Sequence, residues 1–218
     1  MDAAERKRRY NMLEDNHINA IVSLVNARCG WWCNFANHGI PKDRHKWVQC
    51  VDTDTQDLLV YMSDICDFID RMADPALSSL SSLPATNAPA LLSLEDLPIE
   101  TEDKPCSNPP NAILVHCELG ISRSPTVIIA YLMRKLRLPR ASVLEFLQTR
   151  QRVKPSANFT RQLDIWDEVG YQIWEDEERT KPKVPYKLFL ADRAARFKAK
   201  GLTGNEPLAP LTLEPLSK

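Results

Sequence analysis

The stretch AILVHCELGISRSPT, residues 112–126, decides what kind of fold this 218-residue chain has. Its apolar beginning, residues 112–115, follows a Pro-Pro-Asn turn signal and predicts a short buried strand. The Ser-Pro-Thr end, residues 124–126, opens a run with helical apolar spacing, and Ser as a cap followed by Pro predicts a helix start. A short loop between a strand and a helix N-terminus collects backbone N–H groups, so this segment predicts an oxyanion-binding site.

The side chains of this loop include a candidate nucleophile and an arginine that can bind an anion. A thiol at a helix N-terminus beside a guanidinium has a lowered pKa, so Cys117 is the candidate nucleophile. Arg123 presents a planar fork for two phosphate oxygens, and Ser124 can donate a hydrogen bond to the thiolate when it leaves. Gly120 lets the backbone turn, and we expect His116 to order the loop through backbone hydrogen bonds rather than to act as a base. The predicted phosphate-binding residues are Glu118, Leu119, Gly120, Ile121, Ser122 and Arg123.

A purely structural cysteine is the alternative interpretation of Cys117, because Cys is among the residues most often buried in cores. A bare Cys-x5-Arg spacing also arises by chance in many chains. The complete string, with a strand before it, a glycine inside it and a Ser-Pro helix start after it, is far more specific and favours catalysis.

The string from His116 to Thr126, followed by Ala-Tyr-Leu-Met at 130–133, resembles the signature of the cysteine-dependent dual-specificity protein phosphatases. The resemblance covers about residues 18–175 and is densest from 111 to 135. It implies an α/β fold with a central, mostly parallel sheet flanked by helices. It also implies hydrolysis of phosphotyrosine and phosphoserine or phosphothreonine in proteins, through a phosphocysteine and without a metal or other cofactor. Phosphorylated proteins are then the expected partners.

A leaving alkoxide or phenolate needs a proton, so a carboxylic acid is expected on a separate loop, where it later serves as a base for water. The upstream candidates are Asp52, Asp54 and Asp57. Residues 46–51 predict a short strand, which places Asp52 where a strand ends and a loop begins.

Apolar spacing predicts a helix from Leu58 to Met72, for which Asp54 or Thr55 is a natural N-cap. The family pattern, matched by Tyr-Met at 61–62 and Asp-Phe-Ile at 67–69, also points to the acid just after the preceding strand. Asp52 is therefore the predicted general acid, and Asp54 is the alternative.

The family usually has an asparagine that supports the phosphate loop where this chain has Ser156. We expect Ser156 to make a weaker version of that contact, or Asn158 to replace it. This departure leaves a non-catalytic phosphoprotein-binding module as a second hypothesis. A lipid or RNA phosphatase is a third, but the residues between Cys117 and Arg123 carry no base and one acid, which disfavours such highly charged substrates.

The charge balance offers no argument for a nucleic acid or a membrane surface, since the net charge is −1. No apolar segment suits a signal peptide or a membrane span. Six scattered cysteines predict reduced thiols in an intracellular protein, cytoplasmic or nuclear. The basic run at 6–9 favours a solvated helix face over a nuclear signal, and Cys29-x3-Cys33 with His38 and His45 favours packing over a zinc site.

Three parts of the chain differ in composition. Residues 1–17 are charged and helix-like, residues 18–176 form the predicted catalytic domain, and residues 177–218 predict an amphipathic helix at 187–200 and a disordered tail. A Pro- and Ser-rich insertion at 73–110 interrupts the catalytic domain. The family normally begins with a strand pair for which the first part has no counterpart, so we expect that pair to be absent or replaced, in a natural short form or a truncated sequence.

Overall fold

The computed structural model describes residues 12–26, 39–73 and 111–203. Within these residues three parallel strands form one sheet in the order β2-β1-β3. The strands are β1 (Ile18–Val25), β2 (His45–Gln49) and β3 (Ala112–His116). No strand precedes β1 in the described residues 12–17, of which 12–15 are helical. The predicted parallel sheet and the strand before the candidate nucleophile are confirmed.

Helices cover the sheet and pack on one another. A 3-10 turn, Lys42–Arg44, leads into β2. The α-helices that follow β1 in the described residues are α1 (Leu59–Met72), α2 (Arg123–Leu136), α3 (Arg140–Gln148), α4 (Ala157–Glu168) and α5 (Val184–Ala199). Helix α2 contacts α1, α3 and α4, and α5 packs on α4. None of the described helices is long and apolar enough to cross a membrane.

The central strand β1 is buried on both faces, as expected of a parallel sheet covered by helices. Ala20, Val22 and Leu24 face the main core, where they meet α1 and α2. Ile21 faces the other side and joins Leu13 and Ile40 in a smaller cluster. Apart from Asn19 and Ser23, the residues of this strand are apolar, so the strand shows no strict alternation of apolar and polar positions.

The start of α1 differs from the prediction. Neither Asp54 nor Thr55 caps this helix, whose N-cap residue is Leu58. Instead the side-chain oxygen of Gln162 accepts hydrogen bonds from the amides of Leu58 (2.7 Å) and Leu59 (3.1 Å). The prediction was wrong because Gln162 of α4 supplies an acceptor for the first helix amides, and the Asp57 carboxylate, rather than that of Asp54, accepts from the Val60 amide at 3.4 Å.

The start of α2 also differs, because the N-cap is Ser122 and not Ser124. Arg123 is thus the first residue of the helix, and the Thr126 amide donates to the Ser122 carbonyl at 3.0 Å to close the first turn. Ser124 and Pro125 lie inside that turn, where Pro is tolerated because the amides there have no helical acceptor. The earlier start brings Arg123 into a fixed helical position.

Helical apolar spacing at 141–151 and 159–175 predicts two helices, which correspond to α3 and α4 and are shorter in the structure. Helix α4 stops at Glu168, because Gly170 and Tyr171 both take left-handed backbone conformations, with φ of 65° and 64°. Trp174 then pairs with Pro182 in a short antiparallel bridge. Helix α5 lies over most of the segment predicted as helical at 187–200, although it begins at Val184, and its buried residues are Tyr186 and Phe189.

Several predictions concern other parts of the chain. The insertion after Ala73, the cysteines of the zinc alternative and the tail after Thr203 lie outside the described residues. The boundaries of the predicted domains remain predictions.

Candidate active site

The carboxyl ends of the three strands meet at one edge of the sheet, which is where open parallel sheets bind ligands. Cys117 directly follows β3, and Arg123 opens α2 above it. Asp52 follows the end of β2 after a short connection. The fold thus brings the predicted nucleophile, the predicted phosphate-binding arginine and the predicted acid to the same edge of the sheet.

Hydrogen-bond donors surround the Cys117 thiol. Its sulfur lies 3.2 Å from the Ser124 hydroxyl and accepts a hydrogen bond from the Gly120 amide at 3.3 Å. Burial raises the pKa of Cys117, but the hydrogen bonds from Ser124 and Gly120 and the charge of Arg123 outweigh it, so the pKa lies below its ordinary value. This microenvironment favours the thiolate, which is the nucleophilic form.

The buried thiols of Cys50 and Cys66 show the opposite behaviour. Burial raises the pKa of each to about 12, so both remain protonated at neutral pH. Repulsion from Asp52 and from Cys117 raises the pKa of Cys50 further. Both groups therefore act on the same thiol at the end of β2, which supports their proximity at the sheet edge.

The Arg123 guanidinium is buried and held at the sheet edge. One amino group donates to the carbonyls of Leu24 (3.3 Å) and Cys50 (3.0 Å), which lie at the ends of β1 and β2. The other donates to the carboxylate of Glu118 at 2.7 Å. The Arg123 side chain is only 7% exposed, whereas that of Glu118 is 48% exposed. An exposed acid of the loop therefore occupies the amino group that a substrate phosphate would need.

The backbone of the loop is held by the connection between α3 and α4. The amide of Lys154 donates to the Ile121 carbonyl at 2.8 Å, and the amide of Ser156 donates to the Ser122 hydroxyl at 3.1 Å. Gly120 has a φ of 70°, a conformation that favours glycine. The Leu119 side chain is largely exposed.

The predicted supporting residues behave differently from the expectation. The Ser156 hydroxyl oxygen is buried and has no hydrogen-bond partner among the described residues, so support comes from its amide instead. Asn158 does not support the phosphate loop. Its side-chain amide donates to the carbonyls of Thr53 (2.9 Å) and Gln56 (2.8 Å), which belong to the loop that carries Asp52.

His116 belongs to a network that crosses the sheet. Its Nε2 lies 2.6 Å from the Ser23 hydroxyl, and that hydroxyl lies 2.8 Å from Nε2 of His45. Burial lowers the pKa of His116, which keeps the imidazole neutral, although a backbone hydrogen bond with Cys117 acts in the opposite direction. Sequence reasoning missed Ser23 and His45, for which a serine inside an otherwise apolar strand was the available signal.

Asp52 is exposed, and its side chain makes no hydrogen bond to any other described residue. Asp54, the alternative acid, pairs with Lys200 at 2.5 Å. Asp57, the third candidate, is buried and accepts a hydrogen bond from the Tyr186 hydroxyl at 2.8 Å. Asp52 is thus the carboxylate of the three that is open to a leaving group. The part of the chain that the structure describes holds no group of three or more His, Cys, Asp or Glu side chains that suits a metal ion.

Comparison with known proteins agrees with this geometry. Residues 104–168 match the family described as dual specificity phosphatase, catalytic domain. A probable dual specificity protein phosphatase of Dictyostelium discoideum is 48% identical over 58 residues, which are 26% of this chain and 25% of that protein. Tyrosine-protein phosphatase yvh1 of Schizosaccharomyces pombe is 30% identical over 162 residues, which are 74% of this chain and 37% of that protein. The chain therefore spans about a third or less of the length of these two relatives.

Solved structures support the fold. The Cydia pomonella PTP-2 phosphatase superposes with a TM-score of 0.51 at 17% identity, over 74% of this chain and 80% of that one. The Yvh1 phosphatase domain from Chaetomium thermophilum has a TM-score of 0.50 at 24% identity, over 75% of this chain and 86% of that one. With its fold, its strand-loop-helix site and the matched segment, the chain belongs to the dual-specificity phosphatases of the cysteine-dependent phosphatase superfamily.

Proposed function

We propose that this chain is a protein phosphatase that hydrolyses phosphotyrosine and phosphoserine or phosphothreonine through a phosphocysteine on Cys117. The observation that carries the proposal is the geometry of the loop, in which the Gly120 amide and the Ser124 hydroxyl lie at the Cys117 sulfur and Arg123 is fixed at the sheet edge. This arrangement lowers the pKa of Cys117 in spite of its burial. A buried structural cysteine has its pKa raised instead, as Cys50 shows.

In the first step the Cys117 thiolate attacks phosphorus, and the bond from phosphorus to the leaving oxygen breaks. Arg123 and the loop amides from Glu118 to Ser122 hold the non-bridging oxygens, after the phosphate has replaced the Glu118 carboxylate on Arg123. Asp52, in its protonated form, gives its proton to the leaving oxygen.

In the second step water attacks the phosphocysteine, and Asp52 as the carboxylate takes a proton from that water. The sulfur–phosphorus bond breaks, and inorganic phosphate forms. The departing thiolate accepts the hydrogen bond of Ser124, whose hydroxyl lies 3.2 Å from the sulfur. Protonation of Asp52 in this step restores the acid for the next turnover.

The expected substrates are phosphorylated proteins. The loop interior carries no lysine, and the Glu118 carboxylate lies on its exposed side. Like charges repel, so this carboxylate disfavours inositol lipids or RNA 5′ ends with several phosphates. An intracellular location, cytoplasmic or nuclear, fits such substrates and the buried, unpaired thiols of Cys50 and Cys66.

The test compares the purified chain with its Cys117→Ser variant on an aryl phosphate, a phosphotyrosine peptide and a phosphothreonine peptide. We expect turnover by the chain and a loss of at least a thousandfold in the variant, since the nucleophile is removed. Equal rates for the two proteins would refute the proposal. Binding of a phosphopeptide with no turnover, unchanged by Asp52→Ala, would support the binding-module alternative.

A further inference from the structure

The loop that carries Asp52 must hold a fixed position if Asp52 is to reach the leaving oxygen. We call residues 51–57, between β2 and α1, the acid loop. Asp52 itself is exposed and makes no side-chain hydrogen bond to another described residue. Its position therefore depends on how the backbone of the acid loop is held.

One side of the acid loop is held by its own glutamine and by α4. The Gln56 side chain accepts from the Val51 amide at 3.0 Å and donates to the Asp57 carbonyl at 2.8 Å. Asn158 donates to the Thr53 and Gln56 carbonyls, and Gln162 also donates to the Gln56 carbonyl at 2.8 Å. This side lies within the segment that resembles the family.

The other side is held by α5. Tyr186 donates to the Asp57 carboxylate at 2.8 Å, and Arg193 donates to the Thr55 carbonyl at 2.6 Å. Lys200, which directly follows α5, pairs with the Asp54 carboxylate at 2.5 Å. Arg193 is also held in place by the ring of Phe197, whose centroid lies 4.7 Å from the guanidinium carbon.

These three residues of the C-terminal segment are spaced seven apart, at 186, 193 and 200. Residues seven apart lie on the same face of an α-helix, so one continuous face is directed at the acid loop. An amphipathic face made only for packing would place apolar side chains there. Here the last two positions carry cations that bind a loop carbonyl and a loop carboxylate.

We propose that α5 is a clamp on the acid loop, in which Arg193 and Lys200 are positioning residues for the general acid Asp52. The clamp rests on the proposed function, because it acts only through the proton transfers of Asp52, the first of which is to the leaving group. Removing it takes away the contacts of Arg193 and Lys200 with the acid loop, and a displacement of about 1 Å can lower a rate up to a hundredfold. Since Asn158 and Gln162 still hold the other side, we expect a loss nearer tenfold.

The test measures kcat/KM of the full chain on phenyl phosphate, whose leaving group needs a proton, and on p-nitrophenyl phosphate, whose leaving group departs without one. The test variant is Arg193→Ala with Lys200→Ala. We expect its kcat/KM to fall about tenfold on phenyl phosphate and less than about threefold on p-nitrophenyl phosphate, because only the first reaction depends on the acid. Asp52→Asn should also lower kcat/KM more on phenyl phosphate than on p-nitrophenyl phosphate, and by a larger factor than the test variant.

A matched control removes two other lysines of the same segment. Lys187 and Lys198 are exposed, and their side chains make no hydrogen bond or ion pair with another described residue, so Lys187→Ala with Lys198→Ala should leave both rates unchanged. Arg193→Lys keeps a cationic donor and should retain more phenyl phosphate activity than Arg193→Ala. Thermal melts and the alkylation rate of Cys117 establish that each variant is folded with an intact phosphate loop.

The outcomes separate the two proposals. Suppose that the unmodified chain is active and Asp52→Asn shows the selectivity. The clamp is then overturned if Arg193→Ala with Lys200→Ala lowers kcat/KM equally on both substrates, or on neither. An unmodified chain that turns over neither substrate overturns the proposed function and the clamp with it. An active chain in which Asp52→Asn shows no selectivity overturns the assignment of the acid, and therefore the clamp.

Discussion

At Cys117, hydrogen bonds and one guanidinium act against the cost of burial. The Ser124 hydroxyl and the Gly120 amide donate to the sulfur, and Arg123 adds its charge, so the pKa falls although burial alone raises it. The thiolate is stabilised before any substrate arrives. The same Ser124 hydroxyl remains in place to stabilise the thiolate as a leaving group.

Ser124→Ala tests this balance. It removes the hydrogen bond of the hydroxyl, so the pKa of Cys117 should rise and the midpoint of its alkylation by iodoacetamide should move to higher pH. Mass spectrometry of the peptide that contains Cys117 measures the rate at each pH. Ser142→Ala, on α3 and without a side-chain hydrogen bond to another described residue, serves as the control. An unchanged midpoint would show that the hydroxyl does not stabilise the thiolate.

Glu118 competes with the substrate for Arg123. Its carboxylate binds the guanidinium at 2.7 Å but is 48% exposed, so solvent screens the pair and its contribution is about 0.4–1 kcal/mol. Glu118→Gln should therefore lower KM, and the inhibition constant for inorganic phosphate, by about twofold to fivefold with little change in kcat. The control is Glu145→Gln, an exposed residue of α3. A raised KM would mean that Glu118 helps to hold the substrate.

Residues that act through local spacing were predictable from the sequence, and residues that act across the fold were not. Cys117, Arg123 and Ser124 lie within eight positions of one another, so the motif alone predicts that they lie close together. The contact between Ser23 and His116 spans 93 positions, and the one between Gln162 and Leu58 spans 104. Such partners depend on the packing of whole elements, which local patterns do not encode.

At the scale of elements, the strands and the presence of each helix followed from apolar spacing, whereas helix ends depended on tertiary partners. Near the start of α1, the buried Asp57 carboxylate has a tertiary partner of this kind, the Tyr186 hydroxyl of α5. Burial raises the pKa of Asp57, and the hydrogen bonds from Tyr186 and the Val60 amide reduce that rise without reversing it. The charged carboxylate is thus less favourable in the folded chain than in the unfolded one.

The raised pKa of Asp57 predicts how the free energy of unfolding depends on pH. A raised pKa in the folded state contributes stability below the ordinary carboxyl pKa, and that contribution is lost as pH rises through the raised value. Asp57→Asn removes the titration, so the variant should gain stability relative to the unmodified chain between mildly acid and neutral pH. Urea unfolding at both pH values measures the difference. A constant or opposite difference would contradict the raised pKa.

The Tyr186→Phe variant tests the same hydrogen bond from the side of its donor. At neutral pH it leaves the buried Asp57 carboxylate without one donor and should cost about 1–3 kcal/mol. The cost should be smaller in the Asp57→Asn background, because the charge that needs the donor is absent. Equal costs in the two backgrounds would show that the hydroxyl and the carboxylate do not interact.

At the scale of the whole molecule, α5 is part of the structure that carries the site. Its residues Tyr186 and Phe189 are buried in the main core, and Arg161 of α4 forms an ion pair with Asp192. The sequence indicated an amphipathic helix here, but its docking surface could not be read from spacing, since the partners lie on α4 and on the acid loop.

Phe189→Ala should therefore destabilise the entire chain, by about 3–5 kcal/mol, because it removes a large side chain that is only 3% exposed. The neighbouring Leu188 is 63% exposed, so Leu188→Ala should change stability by less than about 0.5 kcal/mol. Urea unfolding followed by circular dichroism measures both. Similar small effects for the two variants would mean that α5 does not share the core.

The central claim is that catalysis passes through a phosphoryl group on Cys117. A single-turnover reaction with p-nitrophenyl phosphate, stopped by rapid denaturation and analysed by peptide mass spectrometry, tests it most directly. We predict a phosphoryl group on the peptide that contains Cys117, up to one per chain, appearing with p-nitrophenolate, decaying as phosphate is released, and absent in Cys117→Ala. Turnover without this adduct, or equal turnover by Cys117→Ala, would contradict the account.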